Sequence, residues 1–234
     1  MPIPKPSRPE YTTTVPSTGK RIKYQPFTVK EEKVLVLAAE SENLDEISNA
    51  IGNVLRNCVT TPGFDPEDLA LFDVEFLFLK ARAKSVGESI NLRITDPNDE
   101  TFTVEHSINV DTIKVEKNKE HTDLIDIDDK IKVKMKYPNL QFFAEGVKID
   151  NIEESTETIA RCISQIVMGE EVYTQEDMTQ AEIVEWIECL TTDQFQKIMQ
   201  FFLTMPKLRH VVKLKNTKTG EPFETVLEGL ADFF

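Results

Sequence analysis

Four aspartates lie within residues 123–129 and form an acidic run that could suggest a metal site: Asp123, Asp126, Asp128 and Asp129. Carboxylate oxygens are the ligands that Ca²⁺ prefers, and an acidic cluster of this kind would suit a metal-dependent hydrolase. The run lacks the glycine and the terminal bidentate glutamate of an EF-hand loop, however. No metal is therefore expected here, and a hydrolase is the least favoured of the functions considered below.

The histidines and cysteines do not add a second chemical site. Their positions are His106, His121, His210, Cys58, Cys162 and Cys189. The histidine spacing does not suggest shared metal ligation, and three distant cysteines favour reduced thiols over a disulfide framework. Motifs for a serine or cysteine nucleophile, a phosphate-binding glycine loop and a dinucleotide fingerprint are absent. We predict that the chain binds no cofactor, is not an enzyme and works by shape and contact.

The overall charge limits the kinds of partner. With 27 basic and 41 acidic residues the chain has a net charge of −14, which argues against binding nucleic acid or an anionic membrane. A partner with a basic face fits better. The 234 residues, 40% of them hydrophobic, suffice for one large domain or two small ones. The sequence shows no apolar run long enough to cross a bilayer and no signal-peptide core, so we expect an intracellular protein.

Composition and periodicity divide the chain into five regions. We predict an α+β fold with N-terminal helices, a central antiparallel β region and a C-terminal helical segment closed by a β-hairpin. The regions are a flexible proline-rich arm (1–23), an N-terminal helical region (24–88), a β-rich region (89–150), a helical region (151–206), and a C-terminal hairpin with a Phe-Phe tail (207–234).

The helical predictions follow from apolar spacing and from breaks in it. Two helices are predicted between Val29 and Asn57 with a break at residues 41–43, and a third is predicted to begin at the Asp65-Pro66 cap. Consecutive apolar residues at 76–79 predict that this third helix is buried on more than one side or feeds an interface. In the region 151–206, one helical stripe is predicted to run from Ile159 through Ile163, Ile166 and Val167.

The strand predictions follow from alternation of apolar and polar residues. Ile90, Leu92 and Ile94 alternate with polar residues before a turn at 96–99, which predicts a hairpin. Residues 130–136 alternate between lysine and apolar side chains, which predicts a half-buried sheet with a lysine-coated face. A second hairpin is predicted for residues 208–228, with its turn at 216–220.

The segment from Tyr24 to Lys33 joins the proline-rich arm to a strongly signalled helix start. Pro26 favours extended backbone before it, Thr28 is a good N-cap, and Glu31 can close a capping box, while Phe27 takes the hydrophobic-staple position. Large apolar side chains here, in the third helix and at the C-terminus are the predicted contact surface. The predicted interface residues are Tyr24, Pro26, Phe27, Phe76, Phe78, Phe233 and Phe234.

Three blocks of the sequence resemble one known family. Residues 24–40, 71–88 and 226–234 are similar to the start, middle and end of the baseplate hub family of T-even contractile-tailed bacteriophages. The resemblance implies a structural or assembly component of the central hub. Its partners would be other hub or tail proteins, with no nucleic acid and no membrane, and its location would be the host cytoplasm during assembly and then the virion tail baseplate. The alternative is a hub assembly chaperone that is absent from the mature virion.

The sequence departs from that family in the C-terminal hairpin. Relatives often carry a cysteine pair there that suggests a zinc knuckle, whereas this chain has the turn Asn216-Thr217-Lys218-Thr219-Gly220. We therefore expect the hairpin to be held by turn chemistry and packing, without metal.

Overall fold

The computed structural model of the chain describes residues 3, 6–147 and 155–229. These residues form seven α-helices and eleven strands, and every strand pair is antiparallel, so the predicted α+β class with a C-terminal hairpin is confirmed. The chain divides into two compact units: residues 1–116 with 207–234, and residues 117–206. The boundary at 116/117 falls inside the region that the sequence analysis treats as one β-rich segment.

The first unit is formed by two segments of the chain, and the second unit by the single segment between them. The first unit begins with β1 (Tyr11–Thr14), β2 (Arg21–Tyr24), α1 (Val29–Glu40), α2 (Leu44–Cys58), α3 (Leu71–Ser85), β3 (Ser89–Asp96), β4 (Asp99–Asn109) and β5 (Lys114–Glu116). The second unit contains β6 (Leu124–Asp126), β7 (Ile131–Met135), α4 (Leu140–Ala144), α5 (Thr156–Arg161), β8 (Ile163–Met168), β9 (Glu171–Thr174), α6 (Gln180–Glu188) and α7 (Thr192–Thr204). The chain then returns to the first unit with β10 (Lys207–Lys215) and β11 (Pro222–Glu228).

Helix α3 is the centre of the first unit. Its residues Leu77, Phe78 and Leu79 are all buried, so the prediction that this run is covered on more than one side is confirmed. Leu79 packs with side chains of the β3–β4 hairpin and of the sheet β11–β10–β5 in one core cluster. The helix begins at Leu71, and the Asp65-Pro66 cap predicted to start it instead opens a separate 3-10 turn (Pro66–Asp68).

One buried amide joins the turns of the β3–β4 and β10–β11 hairpins. Asn216 Nδ2 donates to Asp96 Oδ2 at 2.8 Å and to Asp99 Oδ2 at 3.3 Å, while Asn216 Oδ1 accepts from the Lys218 N–H at 2.9 Å. Gly220 supplies the positive φ of 80° that the second turn needs. Hydrogen bonds from a single asparagine therefore organise the turn at 216–220.

Residues 11–24 form a hairpin, whereas the sequence analysis assigns all but Tyr24 to a flexible arm. β1 pairs with β2 from Tyr11↔Tyr24 to Thr14↔Arg21, and Ile22 and Val15 are buried. The other edge of β2 is bonded to the segment after α2, since the Thr60 N–H donates to the Lys23 carbonyl at 2.9 Å. The proline count misleads because the prolines precede β1 or, like Pro16, lie in the turn, so none interrupts the paired strands.

The second unit packs helices on the four-stranded sheet β6–β7–β8–β9. Ile163, Ile166 and Val167 lie in β8, so the prediction of a continuous helical stripe from Ile159 is wrong. The cause is a register shift in the β7–β8 pairing, in which Met135 faces Ile163 but Lys134 faces Gln165. This irregularity inserts one extra residue between buried positions 163 and 166 and thereby imitates the i, i+3 spacing of a helix.

Candidate protein-protein interface

Helix α1 has seven apolar residues among twelve, yet it barely contributes to the core. Only Ala38 of its twelve residues is buried. Val29, Val36 and Leu37 are 65%, 52% and 66% exposed. A helix with apolar residues on every side is normally enclosed, and a contiguous exposed apolar patch commonly marks a contact surface.

Nine of the twelve residues of α1 are exposed, and they lie around most of the helix. At 100° per residue, five of them fall within one arc of about 100° on the side away from Ala38, which we call the outer stripe. Its members are Val29, Lys33, Val36, Leu37 and Glu40, all of them exposed. The inner side, by contrast, carries half-buried Glu31 and Leu35 beside Ala38.

Both ends of α1 are fixed by hydrogen bonds, so the outer stripe is presented on a defined helix. At the start, Glu31 Oε2 accepts from the Thr28 N–H at 2.9 Å and closes the predicted capping box, and the Phe27 N–H donates to Ser85 Oγ at 2.8 Å at the end of α3. At the other end Ser41 Oγ donates to the Ala38 carbonyl at 2.8 Å. The predicted break between the first two helices at residues 41–43 is confirmed.

The electrostatics of the cap favour an ionised Glu31. Partial burial raises the pKa of its carboxyl, but the hydrogen bonds from the side chain and backbone of Thr28 outweigh that effect and leave the pKa below its ordinary value. A carboxylate at the N-terminus of a helix also interacts favourably with the helix dipole. The cap is therefore complete at neutral pH.

Most of the aromatic residues predicted to form an interface lie inside the first unit. Tyr24, Pro26, Phe27 and Phe78 are buried, and Phe76 is half-buried against the core cluster. Phe233 and Phe234 lie outside the described residues. Side chains already covered by their own chain leave little surface for a partner. The exposed residues of α1 are therefore the better candidate for the interface.

Val36 and Leu37 were not among the predicted interface residues, because the apolar residues of this segment served only to predict a helix. The local signal is that the run Val34-Leu35-Val36-Leu37-Ala38-Ala39 has no charged residue, which predicts cover on every side but not whether the chain or a partner provides it. In a surface helix with one buried side, charged residues recur on the opposite side.

The surface charge is unevenly distributed between the two units. The outer face of the β1–β2 hairpin carries Lys20, Arg21 and Lys23, and it borders an open groove of about 670 Å³. Lys23 Nζ lies 2.8 Å from Glu10 Oε1, and this contact helps hold the pKa of Glu10 below its ordinary value. Residues 162–196 of the second unit, in contrast, contain eight acidic residues and no lysine or arginine.

The aspartates singled out for metal chemistry have structural partners. Asp123 and Asp126 lie 2.7 Å and 2.8 Å from the ammonium groups of Lys134 and Lys132. Asp128 Oδ1 accepts from the N–H groups of Lys130 at 2.8 Å and Ile131 at 2.9 Å. Among the described residues, no three acidic, histidine or cysteine side chains are grouped as metal ligands.

One histidine and two cysteines also have packing roles. His121 Nδ1 lies 2.9 Å from Thr204 Oγ1, and His121 Nε2 lies 2.9 Å from Tyr137 Oη. Burial lowers the pKa of this imidazole. Burial also raises the pKa of the Cys58 thiol to about 11 and that of Cys162 to about 12, which keeps both in the unreactive thiol form at neutral pH.

A comparison with protein families matches nearly the whole chain. The model of a family described as T4 bacteriophage base plate protein matches residues 8–234. The chain belongs to this family. Searches of curated proteins and of solved structures give no match.

Membership of the baseplate family supports a structural or assembly role in the phage baseplate, contact with other baseplate proteins and a location in the virion tail. Within the described part of the chain, no helix is both long and apolar enough to span a bilayer.

Proposed function

We propose that this baseplate protein is a component of the central hub of the tail baseplate, and that it acts through protein contacts without catalysis. The hub assignment rests on the resemblance of residues 24–40, 71–88 and 226–234 to the T-even hub family. The mode of action rests on one observation: the apolar residues Val29, Val36 and Leu37 of the outer stripe are left uncovered by the described part of the chain.

Covering the outer stripe in an assembly would be favourable. Val36 and Leu37 each expose more than half of their surface, so their burial against a partner contributes roughly 1–2 kcal/mol each. The capped start of α1 holds these side chains on a helix that forms before the partner arrives, which limits the entropy lost on association. The outer stripe therefore suits a protein contact within the baseplate.

The contacts of the polar residues favour this reading over a hydrolase. Asp123 and Asp126 are ion-paired with lysines, and Asp128 caps a turn. A carboxylate committed to a structural partner is less free to hold a metal or to activate water. The structural roles of these aspartates therefore give a hydrolase little support.

Mass spectrometry of purified virions separates a hub component from an assembly chaperone. The proposal expects peptides of this protein in a fixed ratio to other baseplate proteins. Assembly intermediates from infected cells serve as the positive control for detection. If the protein is found in those intermediates but is missing from mature virions, the chaperone alternative replaces the hub component.

A variant of the outer stripe tests the mode of action. The double substitution Val36→Gln/Leu37→Gln should block incorporation into baseplates during infection while leaving the purified protein folded. Val172→Gln/Leu203→Gln is a matched control, because these residues of the second unit are of the same types and are 53% and 69% exposed. Normal incorporation of the α1 variant, or an equal loss in both variants, would remove the support for α1 as the contact surface.

A further inference from the structure

We propose that the outer stripe of α1 pairs with the same stripe of a second copy of this chain, in an antiparallel orientation around a two-fold axis. This inference rests on the proposed role of the outer stripe as a contact surface and names what covers it. The argument comes from the order of apolar and charged residues along the stripe.

The apolar centre of the stripe is self-complementary. Successive residues are 100° apart around a helix, so a two-fold axis between positions 36 and 37 places Val36 on one flank of the contact and Leu37 on the other, and each meets the same residue of the second copy. These two side chains are 52% and 66% exposed in the single chain. Their burial forms an isologous contact, in which one patch serves both copies.

The charges on either side of this centre are complementary in the same register. Lys33 and Glu40 each lie 3.5 residues from the axis, which is about 5 Å along the helix. The axis therefore brings Lys33 level with Glu40 of the second copy, and Glu40 level with Lys33. Both side chains are exposed, and neither has an ion-pair partner among the described residues.

The opposite orientation is disfavoured by the same residues. A parallel pair in register would place Lys33 against Lys33 and Glu40 against Glu40. Like charges facing each other across a contact oppose association and suppress the wrong arrangement. The charges of the stripe thus favour the antiparallel over the parallel pair.

The size of the stripe sets the expected strength of the pair. A standard stable interface buries about 800 Å² on each partner, and a stripe of five residues on one helix offers less than that. The dimer should therefore be weak in dilute solution and depend on protein concentration. Copies held together in a baseplate would pair more completely, because their effective concentration is higher.

A charge-swap cycle tests the inference by sedimentation velocity of the full-length protein, from micromolar to millimolar concentration. The wild type should form a dimer in a concentration-dependent manner. Lys33→Glu and Glu40→Lys should each weaken dimerisation about tenfold, because each creates two like-charge contacts. The double variant Lys33→Glu/Glu40→Lys should recover most of the wild-type dimer.

Two controls isolate the stripe. Lys30→Glu and Glu32→Lys make the same charge changes on the same helix outside the stripe, and each should change the dimer dissociation constant by less than about twofold. Circular dichroism of every variant reports whether α1 remains folded. High salt should reduce the difference between the single variants and the wild type.

The outcomes also separate this inference from the proposed function. A wild type that stays monomeric up to millimolar concentration, or a double variant no better than the singles, overturns the pairing. If Val36→Gln/Leu37→Gln still blocks incorporation in that case, the contact function stands and the stripe binds a different baseplate protein. A dimer that Val36→Gln/Leu37→Gln does not weaken places self-association elsewhere and likewise overturns the pairing.

Discussion

Helices α1 and α3 have similar apolar sequence patterns but differ in burial: α3 is largely buried, and α1 is largely exposed. Both contain a run of consecutive apolar residues without a polar face, at 34–39 and at 76–79. In α3 nine residues are buried, whereas in α1 only Ala38 is. The difference lies in their neighbours: strands of two sheets pack against α3, whereas none of the residues that the structure describes covers the outer stripe of α1.

This contrast separates two reasons for an apolar helix. The apolar residues of α3 stabilise the monomer, because they leave water when the chain folds. Those of the outer stripe remain in water in the single chain and can contribute only when a partner covers them. Mutations in the two helices should therefore affect different measurements: folding stability for α3, and association for α1.

The largest expected effect is in α3. Phe78→Ala should lower the free energy of unfolding by about 3–5 kcal/mol, because it leaves a cavity around a side chain that is 1% exposed. Urea denaturation followed by circular dichroism measures the change. A loss below about 1 kcal/mol would mean that α3 is not the centre of the first unit.

A smaller effect is expected at the polar contact of α3. Buried Asp73 accepts hydrogen bonds from the hydroxyl of Ser17 and, at 2.9 Å, from its N–H, and so anchors the β1–β2 turn. Asp73→Ala should cost about 1–3 kcal/mol, because the Ser17 donors lose their partner. Proteolysis should then cut residues 15–20 faster than in the wild type. If cleavage there is unchanged, the hairpin does not depend on α3.

The sequence predicts elements best where a local signal and the tertiary environment agree. Thr28 is an N-cap in sequence and in structure, the predicted break at residues 41–43 separates α1 from α2, and the turn at 96–99 connects a hairpin as its polar residues indicate. Prediction fails where distant partners decide the outcome. Ile22 pairs in a hairpin despite the prolines around it, and Ile163 and Ile166 take helix-like spacing from an irregular strand pairing.

The candidate site was harder to predict than the fold. Phe78 and Val36 lie in equally apolar runs, and nothing local shows that one is covered by the chain itself and the other is not. Only the packing of the whole first unit makes that distinction. The predicted interface therefore consisted mainly of aromatic residues, whereas the exposed apolar surface of α1 is formed by aliphatic residues.

An intermediate effect is expected at the cap of α1. Thr28→Ala should destabilise the helix by about 1 kcal/mol and speed hydrogen exchange of its amides about fivefold, with little effect on α3. In the wild type, the Glu31 contribution is fully present above the ordinary carboxyl pKa and is lost as the pH falls through its lowered pKa in the folded state. Hydrogen exchange in α1 measured across acid pH, with Glu31→Gln as the pH-insensitive reference, checks the sign. Protection that rises on acidification would contradict the assigned cap.

The smallest effect on folding stability is expected for a substitution in the outer stripe, where the effect on association should be large. Leu37→Ala should change the free energy of unfolding of the monomer by less than about 0.5 kcal/mol, because its side chain is 66% exposed and alanine favours helix. The same substitution should weaken association through the outer stripe about tenfold, because it removes most of an apolar side chain from the centre of the contact. Urea denaturation at micromolar concentration and sedimentation at millimolar concentration measure the two quantities on one sample. If Leu37→Ala destabilised the monomer as much as a core truncation does, α1 would belong with α3 among the helices that the chain buries for itself.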